Sequence, residues 1–154
     1  MATMKAKMPD DLIKKITKLG EKTDEICGKA LQAGAEIVEK AVAANLDAIV
    51  GKETKYDSRS TGELQSALGI SPVGIDKKGN YDIKIGFNEP RREQNAAKGK
   101  RSYGERTNAM IANVLEYGKQ GQPPKPFLKP AQRSSQKPAK AKIIEVLQEE
   151  VEKI

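Results

Sequence analysis

From Ile26 onward, Ala30, Ala33, Ile37, Ala41, Ala44 and Ala48 follow at spacings of three and four. Only a helix of 3.6 residues per turn gathers such a series on one side. Leu31, Val38, Val42 and Ile49 run beside that line, and Leu12, Ile16 and Leu19 extend it upstream past Gly20, a residue that loosens helices. Pro9, Asp10 and Asp11 read as the start, because aspartates cap free N–H groups and suit the positive end of the helix dipole. The chain therefore commits its N-terminal third to one long helix. Its alanines let another element approach closely, and two partners satisfy that face: the protein's own core or a neighbouring subunit.

The rest of that core has few large side chains to draw on. The 154 residues have room for one domain, 1–154, with a single modest core; 37% are hydrophobic, only 4% aromatic, and none is Trp. Ile, Leu, Val and Ala must therefore fill the interior. With 28 Lys+Arg against 21 Asp+Glu, a net charge of +7 suits either a polyanionic or acidic neighbour or simply a well-solvated surface. Histidine is absent, which removes the commonest general base and the usual partner of Ser and Cys nucleophiles. An enzyme is not expected, nor a cofactor. Cys27 has no second cysteine to pair with and reads as an inert thiol in a reducing cytoplasm. No run approaches the roughly 20 apolar residues of a membrane span, and MATMKAKMPDD lacks an export signal.

Downstream, GKETKYDSRS (51–60) is polar and reads as a loop, while Leu64 and Leu68 in TGELQSALG support one or two helical turns. The period then changes. Ile70, Val73 and Ile75 precede DKKGN, after which Tyr81, Ile83, Ile85 and Phe87 alternate strictly with Asp82, Lys84, Gly86 and Asn88. That pattern predicts a β-hairpin with one wet face, turning at Gly79-Asn80.

Asn88 to Asn108 carries no hydrophobic period but holds Arg91, Arg92, Lys98, Lys100, Arg101 and Arg106 against Glu89, Glu93 and Glu105. A segment of this length predicts a mobile basic loop, either merely solvated or in electrostatic contact with DNA or a partner. Met110, Ile111, Val114 and Leu115 then predict a short helix ending near Gly118. Pro123, Pro124 and Pro126 force an extended path beyond it, with Phe127 and Leu128 as its apolar anchors. Ile143, Ile144, Val146, Leu147, Val151 and Ile154 mark a last helix, beginning near Pro130 or near Pro138. The expectation is an α+β fold in which the C-terminal helix packs on the hairpin. No phosphate loop, metal-ligand cluster or repeat stands out.

One stretch is more distinctive. IANVLEYGKQGQPPKPFLKPA (111–131) resembles the signature of the small head-tail joining or tail-completion proteins of long-tailed bacteriophages and prophages, the gene-product-ten-like family. In that family Leu-Glu-Tyr/Phe-Gly closes a short helix and Pro-Phe-Leu-(Arg/Lys)-Pro-Ala opens the last one. Leu115, Glu116, Tyr117, Gly118, Pro126, Phe127, Leu128, Lys129, Pro130 and Ala131 match. Thr61, Gly62, Leu64 and Ser66 are similar to the family's Thr-Gly-x-Leu-x-x-Ser segment, whereas Lys119 stands where the family often has Thr.

The resemblance implies a non-enzymatic virion protein, assembled in the bacterial host cytoplasm and resident in the phage neck or upper tail. It further implies a ring homo-oligomer of six or more copies around the DNA channel, beside head-connector or tail proteins, with no cofactor, metal or membrane. Arg91, Arg92, Lys98, Lys100, Arg101 and Arg106 are the candidates for non-specific contact with genomic DNA. Leu115, Glu116, Tyr117, Gly118, Pro126, Phe127, Leu128 and Pro130 are the candidate structural anchors. A second reading, a small basic cytoplasmic nucleic-acid-binding protein, explains the charge but finds few stacking aromatics and no recognition-helix signature.

Overall fold

The computed structural model describes residues 10–52, 60, 62–88 and 107–154. The order is α1 (Asp10–Ile49), α2 (Glu63–Ala67), β1 (Leu68–Ile70), β2 (Gly74–Ile75), β3 (Tyr81–Asp82), β4 (Ile85–Phe87), α3 (Asn108–Tyr117) and α4 (Leu128–Glu152). This is an α+β fold.

The 40-residue helix α1, about 60 Å long, runs through Gly20 without a break. Its buried line is Ile26, Ala30, Gly34, Ala35, Val42 and Leu46. Ala44 and Ala48, placed on the inner face by periodicity, are exposed, and Leu46 is buried instead. The reason is the position of the partner helix. The antiparallel α4 lies along α1, with Lys29 bonded to Glu150 at one end and Asn45 to Phe127 at the other. Between them the helices touch through small residues: Ala30, Gly34 and Ala35 on α1, and Ala131, Ser135 and Ala139 on α4 are all buried. A Cβ built on Gly34 would stand 2.5 Å from Cγ1 of Ile143, so a side chain there would have to displace Ile143. Hence the principal neighbour of α4 is α1 rather than the hairpin.

The hairpin forms as two short antiparallel ladders, Leu68–Ile70 on Ile85–Phe87 and Gly74–Ile75 on Tyr81–Asp82. Pro72, which has no N–H, falls between them, and there the Ser71 hydroxyl accepts the Lys84 N–H at 2.9 Å. At the tip, the Asp76 carboxylate accepts the Lys78 and Asn80 N–H groups, while Gly79 takes φ +82°. The Tyr81 hydroxyl donates to Asp24, tying the tip to α1.

The core sits at the far end of α1. Val42, Leu46, Leu64, Ala112, Phe127 and Ala131 form its buried centre, with Ile49, Leu68, Phe87, Ile111 and Leu115 packed around them. The chain's two phenylalanines meet there edge to face, Phe87 and Phe127, with centroids 6.2 Å apart. Leu68, expected in the helical turn of α2, is the first residue of β1 and carries the strand into this cluster. Met110, expected on the inner face of α3, is exposed, and Ala112 and Glu116 are buried in its place.

Candidate functional site

The junction between α3 and α4 is where the distinctive motif lies. Thr107 caps α3 by accepting the Met110 N–H at 3.1 Å, and Gly118 ends the helix at φ +78°. Gly118 also stands where a Cβ would press within 2.9 Å of the Gln122 carbonyl and the Pro124 nitrogen, so the turn closes tightly upon it. Lys119 and Gln122 pair across that turn, and Lys125 N–H donates to the Leu115 carbonyl at 2.7 Å. The proline run thereby returns to α3 and delivers Phe127 to the core.

Glu116, only 3% exposed, explains why the two halves of the motif belong together. Its Oε2 accepts the N–H groups of Phe127 and Leu128, each at 2.8 Å, and its Oε1 accepts that of Lys129 at 3.1 Å. A helix begins with four N–H groups that lack an internal partner. In α4 three of them bond to Glu116, and the fourth position is Pro130, which has no N–H to satisfy. The first internal bond follows at once, from Ala131 N–H to the Phe127 carbonyl. That carbonyl also accepts the Asn45 side chain at 3.2 Å. This arrangement starts α4 at Leu128 and leaves Pro138 inside the helix, on an exposed turn.

Burial pushes the Glu116 carboxyl up, but bonds from Leu128, Phe127 and Lys129, together with the Lys129 charge, outweigh it. The group is held below the usual carboxylate range. Its oxygens are thus committed to capping. Among the described residues no group of His, Cys, Asp and Glu could hold a metal ion.

The remaining motif residues divide by exposure. Phe127 is fully buried, Leu115 and Leu128 are half-buried, and Tyr117, Pro126 and Pro130 are exposed. Lys129 lies 4.9 Å over the Tyr117 ring, and both border an open groove with Val38, Val42, Ile85 and Leu128. Upstream, Gly62 adopts φ +77°, Leu64 is buried and the Ser66 hydroxyl bonds back to the Glu63 carbonyl; Thr61 lies outside the described residues.

Arg91, Arg92, Lys98, Lys100, Arg101 and Arg106 also lie outside the described residues. The two ends of that basic segment are fixed. Asn88 N–H donates to the Ala67 carbonyl at 2.7 Å, and the buried Asn108 side chain donates to the Asn88 carbonyl at 2.8 Å. Both asparagines were invisible as clamps in the sequence, as was Asn45. A polar residue on the apolar line between Val42 and Leu46 is the signal that could have found Asn45.

A family model described as "Bacteriophage HK97-gp10, putative tail-component" matches residues 10–118. The chain belongs to this bacteriophage tail-component family. The match ends at Gly118, so the family region covers α1, the hairpin and α3 and stops where the proline-rich return begins. Searches of curated proteins and of solved structures found no match. Among the described residues no helix is long and apolar enough to cross a membrane.

Proposed function

We propose that the protein is a structural subunit of the phage head-tail interface or upper tail, acting in tail completion or head-tail joining and catalysing no reaction. Copies assemble as a ring around the DNA channel, beside head-connector or tail proteins, in the host cytoplasm before incorporation into the virion neck or upper tail. The observation that carries this reading is membership of the tail-component family across residues 10–118. A closed ring needs a heterologous contact surface on every subunit, and a long helix that extends past its partners offers one.

In this reading Arg91, Arg92, Lys98, Lys100, Arg101 and Arg106 face the lumen and meet passing DNA by charge without reading bases. The clamps at Asn88 and Asn108 hold the segment's ends beside the core, away from the hairpin tip. Neutralising the six charges should impair DNA passage or retention more than ring formation. Unchanged particle infectivity would contradict that role.

The function itself is tested by electron microscopy of lysates from the source phage with the gene deleted, against a complemented control. Filled heads apart from tails, or tails of faulty length or ends, are expected. Normal joined particles would remove the proposal.

A further inference from the structure

The apolar face of α1 outlasts everything packed against it. Leu12, Ile16 and Leu19 continue the line of Ile26, Ala30 and Gly34 at helical spacing. Yet the last turn of α4 bonds to α1 at Lys29, through Glu150, Ile26 is the first buried residue of α1, and the hairpin tip bonds at Asp24, through Tyr81. The first turns of α1, about 20 Å of helix, project beyond both. Leu12 and Ile13 are each 46% exposed and Ile16 53%.

A second stripe lies on α4. Ile144, 55% exposed, and Val151, 47% exposed, flank the half-buried Leu147 at spacings of three and four. The two stripes match in length, since Leu12 to Leu19 and Ile144 to Val151 each span about 10 Å of helix. They differ in charge. At 100° per residue, Lys15, Lys18 and Lys22, with Asp11 before them, line one edge of the α1 stripe, whereas Glu149, Glu152 and Glu145, the last paired with Lys142 at 2.9 Å, lie beyond the edge of the α4 stripe. Within one chain the stripes cannot meet, because α4 ends before the projecting turns begin and Ile144 is turned away from α1.

We propose that the projecting turns of α1 dock on the Ile144–Leu147–Val151 face of α4 in a second copy of this chain, with the lysine edge against the glutamate edge. The contact is heterologous: each copy offers one stripe to one neighbour and the other stripe to the next, which closes a ring if the rotation between copies permits. This rests on the ring-forming reading above and names the surface that reading requires. The patch is small beside a stable dimer interface of about 800 Å² per partner, so single contacts are weak and association depends on concentration.

The test is sedimentation velocity of the full-length chain over the micromolar to high-micromolar range, with Ile16→Asp and Val151→Asp variants. Both positions are exposed, so thermal melts of the variants should match the wild type and confirm intact folding. The wild type should sediment faster as concentration rises, and each variant alone should remain monomeric. An equimolar mixture should form a species of twice the subunit mass and nothing larger, since one intact stripe survives on each partner. A wild type that stays monomeric, a variant that associates alone, or a mixture that stays monomeric each overturns the proposal. Any of these could occur while gene deletion still yields unjoined particles, which would retain the structural function and move the contact elsewhere.

Discussion

The two ends of α1 are built on opposite terms. At its C-terminal end Val42, Asn45 and Leu46 meet Phe127, Leu64 and Ala131, and the polar groups of the α4 start are satisfied by Glu116 and Asn45. At its N-terminal end Leu12, Ile13 and Ile16 stand exposed on the same helix. One end secures the fold and the other leaves apolar surface open. The difference teaches that folding and assembly can be assigned to separate stretches of one helix, so substitutions at the two ends should separate stability from association.

The sharpest break should come at the core end. Phe127→Ala removes the largest fully buried side chain and should cost about 3–5 kcal/mol, read from urea denaturation. A loss below about 1 kcal/mol would mean the junction is not what holds α4 in place.

Glu116→Gln should cost about 2 kcal/mol near neutral pH, because an amide caps three N–H groups less well than a carboxylate. The pH dependence fixes its origin. The folded carboxyl titrates below its unfolded value of about 4.3, so its contribution is complete above that pH and is lost as pH falls through the folded value. Stability curves of wild type and variant should therefore converge in acid; a gap independent of pH would assign the loss to packing instead.

Midway along α1, Gly34→Leu should cost about 1–3 kcal/mol by forcing Ile143 out of its place, detectable as a lower Tm. Smallest of all is the effect at the open end. Ile16→Asp should change stability by less than about 0.5 kcal/mol while removing self-association. If it unfolds the chain, the projecting turns belong to the core and the comparison fails.

What could be read beforehand follows the same division. The long helix, the hairpin and α3 are written in local spacing, and Tyr81, Ile83, Ile85 and Phe87 announce a strand without help from distant residues. The start of α4 is not local. Pro130 and Pro138 both suit a first helical turn, and the choice is made by Glu116, a side chain from the preceding helix that supplies the missing caps at Leu128. Alanine periodicity likewise identifies α1 as a helix but not its inward side. Ala44 and Ala48 carry one methyl each, too little apolar surface to compete with Leu46, and the space that Ile143 fills beside Gly34 leaves no mark in the spacing. Of the candidate site, Phe127 was legible as the large apolar side chain in a proline run. The bonds that hold it, from Asn45 and to Glu116, arise only from tertiary contact.

The most direct measurement is complementation of the gene-deleted phage with wild-type protein and with Ile16→Asp, scored by counting joined particles in electron micrographs. The account predicts that the variant melts at the wild-type temperature yet leaves heads and tails unjoined or tails defective. Restoration of normal particles by Ile16→Asp would contradict the claim that the projecting end of α1 is where this subunit meets its neighbour.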